Sequence, residues 1–286
     1  NVSRQEVDAN TLESLTCEGE SDGAVCYGPG AKATGKFTTA IGAESSAITT
    51  NVENAIAGAT AVGYGSNAGS RGSTALGVAT NASGEFATAL GSDARANSTS
   101  SIALGAAAKA TANLTTSIGA AADASGIESI ALGSRATSVG ESSTALGSNA
   151  NSGGYRATAL GYTAAANGIS STALGASTEA SGVKSVALGS LAKSTANSST
   201  ALGAGASASQ DRTVAIGTLA EASGTNAMAL GVGSQATHTD AVAIGPGAAT
   251  TADSRLTLGA GSSSYQTPGL TSIGGQDYSL VVTNQT

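Results

Sequence analysis

A glycine preceded by Leu, Ile or Val, itself preceded by a small residue, returns every 14 residues at Gly63, Gly77, Gly91, Gly105, Gly119, Gly133, Gly147, Gly161, Gly175, Gly189, Gly203, Gly217, Gly231, Gly245 and Gly259. So strict a period restricts the chain to a stack of near-identical units, each too small to bury a core alone. Upstream, Gly28 and Gly42 keep the same step, but 63 − 42 is 21, so seven extra residues enter within residues 43–60.

With the recurring glycine numbered 5, a representative unit runs Ser171-Thr172-Ala173-Leu174-Gly175-Ala176-Ser177-Thr178-Glu179-Ala180-Ser181-Gly182-Val183-Lys184. Position 4 is Leu, Ile or Val; position 2 is Thr, Ile, Val, Met or Leu; positions 8 and 10 are small. Apolar residues two apart indicate strands rather than helices. Fourteen extended residues have a contour of roughly 46 Å, enough for two strands of about five residues and two tight turns. The glycines at position 5, and those frequent at position 12 (Gly84, Gly126, Gly140, Gly154, Gly168, Gly182, Gly224), fall at the turns, where glycine reaches φ > 0 without steric cost. Coils stacked about 4.8 Å apart as parallel strands predict a rod on the order of 80 Å long. The expected packing turns positions 2 and 4 inward against small residues at 8 and 10. It leaves positions 1 and 3 on an outer, alanine-rich ridge suited to packing against identical rods.

Composition narrows the function. Charged residues make up only 11% of the 286 residues, Trp is absent, there are 2 Phe, and the 40% apolar fraction is mostly alanine; an ordinary enzyme domain carries about 25% charged residues and a core of large side chains. A net charge of −7 argues against binding a phosphate backbone. No apolar run reaches the roughly 18 residues that span a bilayer, so no membrane contact by this segment is expected. One histidine, His238, in a turn, cannot supply a Ser-His-Asp arrangement or, with two cysteines, a metal site. We expect no catalysis, cofactor or metal. Association should supply the stability a thin coil lacks, because one large residue and several alanines per coil bury little apolar area.

Units such as Ser185-Val186-Ala187-Leu188-Gly189 and Thr213-Val214-Ala215-Ile216-Gly217 closely resemble the head repeat of trimeric autotransporter adhesins, the YadA-like surface proteins of Gram-negative bacteria. The resemblance implies an all-β, left-handed parallel β-roll over residues 24–262, between an N-terminal cap or connector (1–23) and a C-terminal connector (263–286). It further implies a homotrimer displayed outside the cell, anchored through a part absent here, that attaches to extracellular matrix, host cells or other surfaces. Alternatives are a structural spacer displaying another domain and an ice-binding β-solenoid. The latter is disfavoured because the threonines at position 2 are interrupted by Ile102, Ile130, Val186, Val214 and Met228 and are expected to face inward or into an interface.

In an exported protein, Cys17 and Cys26 would form an intrachain disulfide pinning a cap over the open sheet edge, contributing roughly 2–3 kcal/mol; interchain bridges and free thiols are the alternatives. The insertion, including Thr49, Thr50, Asn51, Val52, Glu53 and Asn54, is the candidate binding loop, with a bulge or half-coil as the plainer reading. Phe86, Leu114, Ile127, Ile169, Leu191 and Leu219 are candidates for a second contact surface, and Glu179 could pair with Lys193 in the next coil.

Overall fold

A computed structural model describes residues 23–49 and 58–260, and the architecture there is all strand. Each coil contributes three residues, positions 2–4, to one parallel sheet and two or three residues, beginning at position 9, to a second. The first sheet has 17 strands, from Val25–Tyr27 to Leu256–Leu258, and the second has 15, from Lys32–Thr34 to Gln235–Ala236. Successive strands pair residue i with i+14: Thr144 with Thr158, Ala145 with Ala159, Leu146 with Leu160. The β-roll and its period are as the sequence predicts, although the strands are shorter than the expected five residues.

The turns account for the difference. In each coil one turn spans positions 5–8, closed for example by Ala150 N–H donating to Gly147 C=O (3.2 Å), and the other spans positions 12 to 1, closed by Ala157 N–H donating to Gly154 C=O (3.2 Å). Gly147 has φ 134°, and a Cβ there would lie 2.4 Å from the carbonyl oxygen of Gly161 in the next coil, so conformation and contact both demand glycine. Position 12 departs from expectation. Gly182 is not at positive φ; it is needed because a Cβ would meet the Ala196 carbonyl oxygen at 1.9 Å. The left-handed residues are instead those at positions 7 and 14, mostly not glycine: Asn149 (φ 55°), Arg156 (54°), Leu191 (61°), Leu219 (57°). Left-handed backbone costs roughly 1–2 kcal/mol at a non-glycine residue. It is held by bonds between coils, since Asn149 N–H donates to Ser134 C=O and Arg156 N–H to Glu141 C=O, each at 2.9 Å.

The second sheet is sided as expected, with positions 8 and 10 inward, but the sidedness of the first sheet is the reverse of the expected one. Positions 1, 3, 8 and 10 face the interior, and positions 2 and 4 face outward. Ala145 is fully buried whereas Leu146 beside it is 36% exposed. Every buried hydrophobic side chain among the described residues is alanine, and the bulkiest fully buried ones are threonines such as Thr80, Thr115 and Thr178. The two sheets of a coil joined by four-residue turns lie so close that both inner faces must be small. Alternation with period 2 separates two sets of side chains without saying which set is inside.

Hydroxyls enter this core because the turns supply acceptors. Ser143 at position 1 donates to Gly140 C=O (2.6 Å), and Thr178 at position 8 donates to Gly175 C=O (2.8 Å). Where a serine also occupies position 10, the hydroxyls meet across the coil: Ser138 and Ser143 are 2.7 Å apart, Ser194 and Ser199 2.6 Å. These hydroxyls are satisfied locally, whereas Ser117, Ser171 and Ser185 bury an Oγ with no hydrogen-bond partner.

Candidate functional site

The outer face of the first sheet carries two columns. Position 4 contributes Ile41, Val62, Leu76, Leu90, Leu104, Ile118 and their successors to Leu258, one per coil, with Leu90 43% and Leu230 38% exposed. Position 2 contributes Thr, Ile, Val, Met or Leu beside them. In register these side chains form a continuous apolar stripe along the rod. Solitary exposed leucines are ordinary, but an unbroken apolar patch beyond a few hundred Å² marks a contact surface. Sequence reasoning missed it because it had placed these side chains inside. The threonines of position 2, expected to face inward or into an interface, lie on this outward face; Ile102, Ile130, Val186, Val214 and Met228 still interrupt them, and their companion column is aliphatic, so no flat double row of hydroxyls forms.

The second sheet is polar outside. Position 9 runs Asn67, Asn81, Arg95, Lys109, Asp123, Thr137, Asn151 and onward, and position 11 is dominated by Ser, Thr, Asn and Gly. Asn67 Nδ2 donates to Asn81 Oδ1 (3.4 Å). Glu179 and Lys193 are register neighbours, as the sequence places them, while Glu179 Oε1 accepts a bond from Ser181 Oγ (3.5 Å).

The edge formed by positions 13 and 14 mixes charge with aromatic and aliphatic groups. Arg71 pairs with Glu85 at 3.3 Å and lies 5.0 Å over the Phe86 ring, and Arg156 lies 4.8 Å over Tyr155. Exposed pairs of this kind contribute about 0–1 kcal/mol each. Side chains at position 13 also cap the turn of the coil before: Asn197 Oδ1 accepts from Val183 N–H, and Asp211 Oδ1 from Asn197 N–H.

Phe86, Leu114, Ile127, Ile169, Leu191 and Leu219 are all exposed, as expected, from 49% at Phe86 to 66% at Leu219. They occupy positions 13 and 14 on one edge and position 7 on the other, so they do not form one surface. His238, half-buried in its turn, places Nδ1 3.1 Å from Thr237 Oγ1 and 3.2 Å from Thr250 Oγ1. Among the described residues no group of three His, Cys, Asp or Glu side chains is arranged to hold a metal ion.

Cys26 is disulfide-bonded, and Cys17 lies outside the described residues. Of the candidate loop, Thr49 is buried at position 12 and its N–H donates to Thr34 C=O (2.8 Å); Thr50, Asn51, Val52, Glu53 and Asn54 lie outside the described residues. The roll closes in register across the insertion: Thr39 pairs with Thr60 and Ala47 with Ala68. The extra residues therefore fall between Thr49 and Ala59, and residues 50–57 lie outside the described residues.

The model of the YadA head domain repeat matches residues 28–45, 57–77, 68–94, 110–136, 124–150, 138–164, 152–178, 166–192, 180–206, 194–220 and 222–248. The chain belongs to the YadA head-repeat family. Among solved structures, the collagen-binding domain of the Yersinia adhesin YadA aligns with 28% identity over 56% of this chain and 81% of that one, with a TM-score of 0.37. No curated protein matches the chain. The YadA repeat and the coil are the same unit: the matched segments advance by 14 residues over 110–220 and map onto the rungs of the two sheets.

Proposed function

We propose that this YadA-type head is a non-catalytic adhesive module, displayed outside a bacterial cell as a homotrimer, that attaches to extracellular matrix or another surface. The observation that carries the reading is the opposite character of the two outer faces. Copies standing side by side would bury the Leu/Ile column and leave the polar sheets to solvent. Buried apolar area stabilises at roughly 25 cal/mol per Å², and that contribution recurs at every coil along the stripe. The number three comes from the family likeness.

The outward polar sheet repeats a shallow row of side chains at each coil. Contacts too weak to hold singly would gain from repetition, since linked weak sites reach combined affinities 10²–10⁴ times those of one by order of magnitude. Sedimentation of the chain should give about three times its 26.9 kDa mass, and the assembled chain should bind at least one member of a panel including collagens and fibronectin. A monomer at all concentrations overturns the association. An assembled chain that binds none of the panel, while a longer protein containing it adheres, assigns it the role of a spacer.

A further inference from the structure

Position 2, which shares the exposed apolar face with the Leu/Ile column, is not uniform along the rod. After Val25 in the first coil it reads Thr39, Thr60, Thr74, Thr88, with Ile102 and Ile130 each flanked by threonines in register. Over the last four coils it reads Val214, Met228, Val242 and Leu256, stacked directly on one another and beside Ile216, Leu230, Ile244 and Leu258. Only there does the face present two aliphatic columns without a hydroxyl. Thr and Val are nearly isosteric, so the two ends of the stripe have similar shape and differ in polarity. Enclosing a hydroxyl without a partner costs roughly 1–3 kcal/mol on mutational scales, so each coil of the N-terminal part gains less from being covered than each coil of the C-terminal part.

We infer that the face between copies of this chain is graded: residues 214–258 form the tight, dry segment of the contact, and the threonine-bearing coils toward the N-terminus associate more loosely. The occupant is a second copy in parallel register, because only an identical rod offers an apolar column with the same 14-residue step along the whole stripe. The inference rests on the proposed association and adds to it where along the rod the contact is strongest.

Met228, the chain's single methionine, is a built-in reporter on this segment, 40% exposed in the isolated chain. Ile102 occupies the same position of the repeat at 37% exposure, between Thr88 and Thr116. Dilute hydrogen peroxide transfers one oxygen atom to the thioether, giving the sulfoxide and water, at a rate that follows access to sulfur. The experiment compares this rate in the unaltered chain and in a double variant, Ile102→Met with Met228→Val, each above and below the association concentration found by sedimentation. Association should slow oxidation at 228 by about tenfold or more and at the introduced methionine by about threefold or less. Loosening at the ends of the rod works against this result, since 228 lies nearer an end than 102. Equal protection, or stronger protection at 102, in a chain that does associate overturns the gradient and leaves the association standing. A chain that stays monomeric overturns both.

Discussion

Two glycines show what a single residue does in this chain. Gly147 combines φ 134° with a neighbouring backbone oxygen 2.4 Å from where a Cβ would stand; Gly233, at position 7, has φ 64° and nothing within 4 Å of that point. Replacing each by alanine separates the requirements. Gly147→Ala should lower stability by about 3 kcal/mol or more, because strain and a backbone clash add, whereas Gly233→Ala should cost only about 1–2 kcal/mol, the left-handed penalty alone. Thermal unfolding of the two variants checks this; equal losses would remove the contact between coils from the account of position 5. The left-handed turn positions accept Phe, Leu, Arg, Glu and Thr because their side chains meet solvent and their N–H groups are fixed by the coil before.

The coil is where sequence and structure part company. Period, strand class, the turn at position 5 and the place of the insertion were legible, because glycine spacing and alternation are local and repeated many times. The inward face was not. Leu, Ile and Val are read as core by habit, and that holds when opposed sheets stand about 10 Å apart; here the four-residue turns bring them closer than large side chains allow. The hydroxyls of Ser143 and Thr178 were available as a clue, since a small polar residue recurring at positions 1 and 8 suits a turn carbonyl better than water. A paired substitution tests the inversion. Ala145→Leu should overpack the coil and destabilise the isolated chain by about 3 kcal/mol or more. Leu146→Ala should leave the melting of the monomer within about 0.5 kcal/mol of its starting value and weaken self-association instead. Calorimetry on dilute samples, with sedimentation on concentrated ones, distinguishes the two; a large loss of monomer stability from Leu146→Ala would return the leucine to the core.

At the scale of the whole molecule, each coil contacts only the coils before and after it, so stability is a sum of near-identical neighbour terms. Removing residues 157–170, one full period, should leave a folded rod one rung shorter with an unfolding temperature close to that of the full chain. Removing only 157–163 should put the glycine column and the inward alanines out of register and abolish cooperative unfolding downstream of the cut. Circular dichroism and limited proteolysis read both outcomes; a half-period deletion that folds like the full-period one would contradict the register. The natural insertion escapes this penalty because both sheets resume in step beyond it, Thr39 pairing with Thr60 and Ala47 with Ala68.

Because the strands within each sheet are parallel and the chain advances one coil at a time in a single direction, the rod is an arrow and not a bar. Two such arrows set equivalent coils side by side only when both point in one direction; flipped, the first coil of one would lie beside the last coil of the other. A parallel bundle therefore has two distinct ends, and the break in the 14-residue period between Thr49 and Ala59 falls at the same height in every arrow. Whatever that break does, it does in as many copies as there are arrows, all at one level of the shaft.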